Sequence, residues 1–393
     1  MGRRGAASGP SSKGDRKPKV AVACQGGGMH AAFEVGVLTE ILKDVERDRF
    51  ELVGLSGTSA GALCALMVWL GLAPKNGHPG SARAAIEKLN GFWDGFVART
   101  TAEKILNFCS FFAFRAQEME VLGLKAPVFG LSPFGAITKG VTAGLPLLGI
   151  RKQYFDFDDL LDEACPEFNG VNWPNVTTRL LLGASEVVNG YETVFDSDVN
   201  KGAQAEEVNR WRKRLPLTLR GVAASGTMPD FREAERIDGG YYWDGLYSQN
   251  PPVREFLASV GKEDRPDELW IARINPQQWP EPPKSSAEIL DRKNELMGNL
   301  SLNKELDFVL TVNGWITKYS KEAFAGDHKH VTVRTIKMKA ETADELRYSS
   351  KFDRRRDFID LLREEGRAVA RDWLDRWPDV GCYPDDAAYR ERR

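Results

Sequence analysis

Cysteine pairs, surplus charge of one sign, long apolar runs and histidine are what this sequence lacks. Its five cysteines, at 24, 64, 109, 165 and 382, include no Cys-x-x-Cys pair. An odd, scattered set excludes a disulfide scaffold and points to reduced thiols in a cytoplasmic chain. Cys24 and Cys64 sit in apolar runs and read as small core residues. The formal net charge is −2 over 393 residues, so no global basic field asks for nucleic acid. The longest clean apolar segment, Ala62–Ala73, is about a dozen residues, short of the roughly 20 that span a bilayer. The first 18 residues are rich in Gly, Ser, Lys and Arg with no apolar core, so no secretory signal is expected there. They read as a disordered basic arm, with contact to an anionic surface as the second reading. No repeat and no ligand cluster with zinc or calcium spacing is present, so neither metal nor cofactor is expected.

What is there suits a globular core: 42% hydrophobic and 28% charged residues. With no long linker, residues 19–378 are expected to form one domain, followed by a charged tail, 379–393. Lys19–Cys24 is a continuous apolar run ending in Gly26-Gly27-Gly28, the pattern of a buried parallel strand and a tight turn. Phe33, Val37, Leu38, Ile41, Leu42 and Val45 then recur at helical spacing. A second strand, Glu51–Leu55, leads into a second helix, Ala62–Leu72. Strand, helix, strand, helix with short loops predicts a right-handed parallel α/β layer. Residues 105–150 are apolar yet broken by Gly and Pro. They read either as a buried irregular connection or as a mobile apolar flap or membrane-touching surface. Further on, strands are expected around the Asn189-Gly190 turn, at Glu268–Ile274 and at Val331–Ile336. A helix is expected at Leu217–Ala224, and a tight turn at Asp238-Gly239-Gly240. In the charged segment 351–377, Phe358, Leu361, Leu362, Val369 and Trp373 predict an amphipathic helix docked on the body.

The chemistry centres on Gly57-Thr58-Ser59-Ala60-Gly61, set between two apolar runs. A serine between two glycines, at a strand end and a helix start, is how a hydroxyl is presented on a sharp turn. The glycines let the chain pass close to itself, and the helix N-terminus favours developing negative charge. Ser59 thus reads as an acyl-transfer nucleophile; the bland reading is a chance match in a chain with 37 glycines. Such a hydroxyl needs a base. The chain has four histidines, 30, 78, 328 and 330. A Ser-Asp-His order of the α/β-hydrolase kind is disfavoured, because only one strand precedes the strand that leads into Ser59. The other source is a carboxylate. Asp244, in a segment dense with turn residues, would take the proton directly, its basicity raised by burial beside Trp243. A capped Asp-Gly turn fits those residues equally well. Gly26-Gly27-Gly28 offers main-chain donors around a concavity fit for an oxyanion. It also matches a dinucleotide fingerprint, but the second strand ends in Leu55-Ser56-Gly57 where that motif wants an acid.

In this order the pieces resemble the patatin-like phospholipase family, and its bacterial cytoplasmic branch most. There the glycine loop is followed by a histidine and the nucleophile motif reads Gly-Thr-Ser-Ala-Gly. The resemblance runs from about residue 19 to 377, including Ile274-Asn275-Pro276 and the terminal charged helix. It implies a three-layer α/β fold with a central, mostly parallel sheet flanked by helices. It also implies a Ser-Asp dyad without a catalytic histidine and without a cofactor. Ser59 would be the nucleophile, with Gly57 and Gly61 forming its elbow; Gly27, Gly28 and Met29 would form the oxyanion hole. Two aspartates compete for the base. Asp238 has the family's Asp-Gly-Gly string. Asp244 precedes Asn250-Pro251, as the family's catalytic aspartate precedes its Asn-Pro element, so Asp244 is chosen and Asp238 is assigned to a hairpin turn. Leu246 departs from the family's usual Gly or Ala. His30 and Ala31 stand where it commonly has Arg then Gly, which leaves headgroup preference open and makes His30 a loop-supporting residue. The implied activity is hydrolysis of acyl esters of phospholipids or related lipids through an acyl-enzyme. The implied setting is cytoplasmic, with transient contact at a membrane surface and no nucleic acid. The alternatives are an acyltransferase or thioesterase on the same dyad, and a binding protein that kept the fold without the activity.

Overall fold

The computed structural model describes residues 16–118 and 149–383, apart from 152–153, 155–156, 204–206, 210, 230–231, 259 and 320–326. The expected basic arm up to residue 15, the end of the tail and the apolar stretch 119–148 lie outside the described residues.

The apolar runs near the start become β1 (Lys19–Cys24) and β2 (Glu51–Gly57), parallel neighbours. Helices α1 (Ala32–Glu46) and α2 (Ala60–Leu72) follow them. Then come β3 (Arg179–Glu186), β4 (Glu192–Asp196), β5 (Glu207–Asn209), β6 (Arg212–Pro216), β7 (Glu235–Ile237), β8 (Gly240–Asp244), β9 (Glu268–Arg273) and β10 (Thr332–Lys337). Among the described residues these make one sheet, ordered β10-β9-β1-β2-β3-β4-β6-β5, with β8 paired to β3 and β7 to β8. The five strands from β10 to β3 run parallel. The Asn189-Gly190 turn joins β3 to β4 as an antiparallel hairpin, and Asp238-Gly239, both at positive φ, join β7 to β8.

Side chains alternate across β1 and sort into two cores. Val20, Val22 and Cys24 pack with α1, α2 and the C-terminal helix Arg356–Arg376. Ala21 and Ala23 pack with Leu302, Leu306 and Val309 of the long helix Ser286–Lys318. A central, mostly parallel sheet with helices on both faces is the expected α/β class.

The C-terminal helix docks on α1 at a glycine crossing. A Cβ on Gly36 would lie 2.1 Å from the Arg363 carbonyl oxygen, and one on Gly366 would lie 2.0 Å from that of Phe33. Its buried stripe differs from the expected one. Ile359, Leu362, Gly366, Ala370, Trp373 and Leu374 face inward, while Leu361 is 62% exposed. The 3.6-residue period carries Leu361 to the solvent side once Gly366 fixes the contact. The stretch from 105 onward also begins differently. Thr101–Glu118 is a regular helix, because its Phe108–Phe112 run contains none of the Gly and Pro breakers that crowd the residues after it.

Candidate active site

In a parallel sheet the loops after the strands gather at one edge. Cys24 of β1 pairs in register with Gly57 of β2, so the glycine loop and the serine turn emerge side by side. The turn is tight for a stated reason: a Cβ on Gly57 would lie 2.3 Å from the Gly61 carbonyl oxygen, and one on Gly61 2.4 Å from that of Cys24. Ser59 takes φ 57° and ψ −129°, a conformation that non-glycine residues adopt only when their surroundings hold them there. The holding contacts are its own N–H, donated to the Ser225 carbonyl at 3.0 Å, and its carbonyl, accepting from Ala62 at 3.0 Å. Ser59 stands at the N-cap of α2, yet its side chain makes no capping bond, which leaves the hydroxyl for other work.

Asp244 reaches this edge through β3, whose register explains the approach. The pairing of β2 with β3 ends at Gly57–Leu182, and β8 takes over the same edge of β3 at Asp244–Ala184. The end of β8 therefore faces the end of β2. Asp244 is fully buried, and its Oδ1 accepts from the Leu246 N–H at 2.8 Å. Burial pushes its carboxyl up to about 7; the Ser59 hydroxyl, the Leu246 N–H and the Lys351 cation oppose the rise. Ser59 thus acts on the carboxyl as a hydrogen-bonding neighbour, while Oδ2 has no partner that meets strict hydrogen-bond geometry. Such bonds are often loose before substrate is bound.

Trp243 is not what enriches this environment. Strand alternation turns it away from Asp244, and it packs on Tyr247 with ring centroids 6.4 Å apart. Leu246 fits without displacing the carboxylate contact: its backbone still donates to Asp244, and its side chain packs on Gly298 of the long helix.

The glycine loop begins a 3-10 turn, Gly28–Ala31, whose first amides have no partner within the turn. A Cβ on Gly26 would meet Ser59 Cβ at 2.9 Å, which measures how closely the loop passes that serine. Gly27, Gly28 and Met29 are half-buried beside it. A belt of amides holds this loop, and sequence reasoning missed its role. Asn250 Oδ1 accepts from Gly26 N at 2.6 Å. Gln25 Oε1 accepts from Ile274 and Asn275 N, and Gln25 Nε2 donates to Asn299 Oδ1 at 3.0 Å. Asn250 and Asn275 were visible only as landmarks in Asn-Pro pairs, and no sequence signal marked Gln25 or Asn299.

The histidines fall elsewhere. His30 is buried, its Nε2 shares a 2.7 Å hydrogen bond with Ser350 Oγ, and burial lowers its pKa well below the usual value, with Lys351 adding to the effect. His78 follows the far end of α2, about 20 Å of helix from Ser59. His328 and His330 precede β10, at the opposite edge of the parallel strands. Asp238 sits in the β7–β8 hairpin turn. Among the described residues no group of three or more His, Cys, Asp or Glu could hold a metal ion, and no helix is long and apolar enough to cross a membrane.

A family model described as patatin-like phospholipase matches residues 22–257, which include the glycine loop, the serine turn and Asp244. No curated protein matches the sequence. Among solved structures, VipD from Legionella pneumophila is similar at 12% identity and a TM-score of 0.35, covering 89% of this chain and 67% of that one. The type III effector ExoU is similar at 12% identity and a TM-score of 0.29, covering 91% of this chain and 54% of that one. ExoU in complex with SpcU, from Pseudomonas aeruginosa, gives 12%, 0.28, 91% and 53%. The chain thus spans about two thirds of VipD and about half of ExoU.

Proposed function

The chain belongs to the patatin-like phospholipase family, and from that premise we propose that it is a serine lipid acyl hydrolase working through Ser59 and Asp244. Asp244 accepts the Ser59 proton as the hydroxyl oxygen bonds to an acyl ester carbonyl. The negative charge that develops on the carbonyl oxygen is met by the main-chain N–H groups of Gly27, Gly28 and Met29. Collapse of the tetrahedral intermediate breaks the ester bond, and the proton on Asp244 passes to the departing alcohol. Water then attacks the acyl carbonyl and gives a proton to Asp244; collapse breaks the bond to Ser59, the proton on Asp244 returns to the serine oxygen, and the acyl group leaves as a carboxylic acid.

The observation that carries this reading is a fully buried carboxyl, raised to about 7, beside a serine held at positive φ. A base of that strength can both take and return a proton near neutrality. The substrate class is an acyl ester of a phospholipid or related lipid, met at a membrane surface from the cytoplasm. The test uses purified protein with a fluorophosphonate probe and an ester substrate. The wild type is expected to label and to hydrolyse; Ser59→Ala is expected to do neither while melting at the wild-type temperature. Turnover in a folded Ser59→Ala protein would overturn the proposal.

A further inference from the structure

The glycine loop has an outer support as well as the amide belt. The 3-10 turn Tyr348–Phe352 lies beyond residue 257, outside the stretch matched by the family model. It packs directly on the loop: a Cβ on Gly28 would come 2.5 Å from the Lys351 carbonyl oxygen and 3.0 Å from Lys351 Cβ. The side chain of Lys351 enters a small cleft that His30, Asn275, Asp291 and Glu295 also line, and its ammonium donates to Asn294 Oδ1. His30, inside the same loop, is held in its neutral form. Lys351 is therefore a cation set directly against the loop.

We propose that Lys351 is a positioning residue for this reaction, its backbone buttressing the Gly28 turn and its ammonium setting a positive charge behind the oxyanion loop and the Ser59–Asp244 pair. The proposal rests on the reading of Ser59 and Asp244 given above. Asp291 and Glu295 face the ammonium from the long helix, Asp244 from the end of β8 and His30 from the loop, while Arg347 lines the same cleft from the lysine's own segment. Burial lowers the Lys351 ammonium to about 8 against the pull of the three carboxylates. Its charge in turn restrains the rise of Asp244. The same charge favours any negative charge that develops at the loop.

The experiment measures kcat/KM for an uncharged ester against pH in the wild type, Lys351→Met, Lys351→Arg and Asn294→Asp, with Ser59→Ala as control. The wild type is expected to rise with pH through about 7, as Asp244 ionises, and to fall above about 8, as Lys351 loses its proton. In Lys351→Met the Ser59 hydroxyl and the Leu246 N–H still restrain Asp244 but the nearby cation is gone, so the rising limb moves up by a fraction of a pH unit. In that variant the falling limb disappears and the plateau drops on the order of tenfold. Lys351→Arg keeps a cation that does not titrate in this range, so its rising limb stays in place and only its falling limb is lost. Asn294→Asp adds a carboxylate at the ammonium and moves both limbs upward. A Lys351→Met profile superposable on the wild type would reduce Lys351 to a packing role and overturn the proposal, with the Ser59 reading intact so long as Ser59→Ala is inert. Should Lys351→Met fail to fold, persistence of the falling limb in Lys351→Arg overturns it equally. Hydrolysis by a folded Ser59→Ala protein instead removes the reading beneath it.

Discussion

Asp244 illustrates how one side chain is exchanged between stability and reactivity. A carboxyl raised from 3.8 to about 7 by burial favours folding only while it is protonated. Its contribution is complete below about pH 3.8 and is lost as the pH rises towards 7. Asp244→Asn, which never ionises, should therefore be more stable than the wild type at pH 8, by roughly 2–4 kcal/mol. The difference should close near pH 4, as followed by denaturant unfolding at both values. The same variant should lose ester hydrolysis, since an amide takes no proton from Ser59. Ser59 was legible because its backbone strain is recorded in its neighbours: only glycine fits at 57 and 61. Gly57→Ala, with its new methyl 2.3 Å from a backbone oxygen, should destabilise the fold by about 2–4 kcal/mol. Asp244 was singled out by resemblance, from its place before Asn250-Pro251; the residues alone left it open, because a capped Asp-Gly turn and a buried aspartate facing Ser59 look the same until burial is known.

The loop after β1 depends on contacts from far along the chain. Asn250 takes the Gly26 amide, and Gln25 takes two amides just beyond β9. Asn250→Ala leaves a buried N–H without its partner and lets the loop drift relative to Ser59. It should slow fluorophosphonate labelling by about tenfold to a hundredfold, with a smaller loss in denaturant midpoint. These amides escaped sequence reasoning because Asn and Gln have no periodicity and no fixed spacing to their partners. The C-terminal helix was legible as an element but not in its rotation. Five apolar positions predicted a stripe, and the glycine crossing with α1 turned Leu361 outward. Leu361→Gln should change stability by less than about 0.5 kcal/mol, whereas Leu362→Ala should cost about 2–4 kcal/mol, as read from thermal melts.

Across the molecule, the candidate site is assembled by the order of strands rather than by proximity in sequence. β1 and β2 deliver the glycine loop and Ser59 through adjacent parallel pairing, while β3 runs past the end of β2 and recruits β8 with Asp244. The segments around Ser350 and Lys351 complete that site from the outside. The two helices that cross at Gly36 and Gly366 follow, in the chain, the glycine loop and this outer support respectively. Gly366→Val should therefore lower the melting temperature strongly, by the equivalent of about 2–4 kcal/mol, and weaken hydrolysis as well. By itself the sequence determined the class of fold, the strand–turn–helix units and the serine turn at residues 57–61. Those features depend on apolar periodicity and on glycines whose neighbours along the chain explain them. Only the tertiary structure decided which aspartate faces the serine, which amides hold the loop and which cation stands behind it. Burial and approach between residues roughly 200 to 300 positions apart are properties of strand order and packing, and no local pattern encodes them.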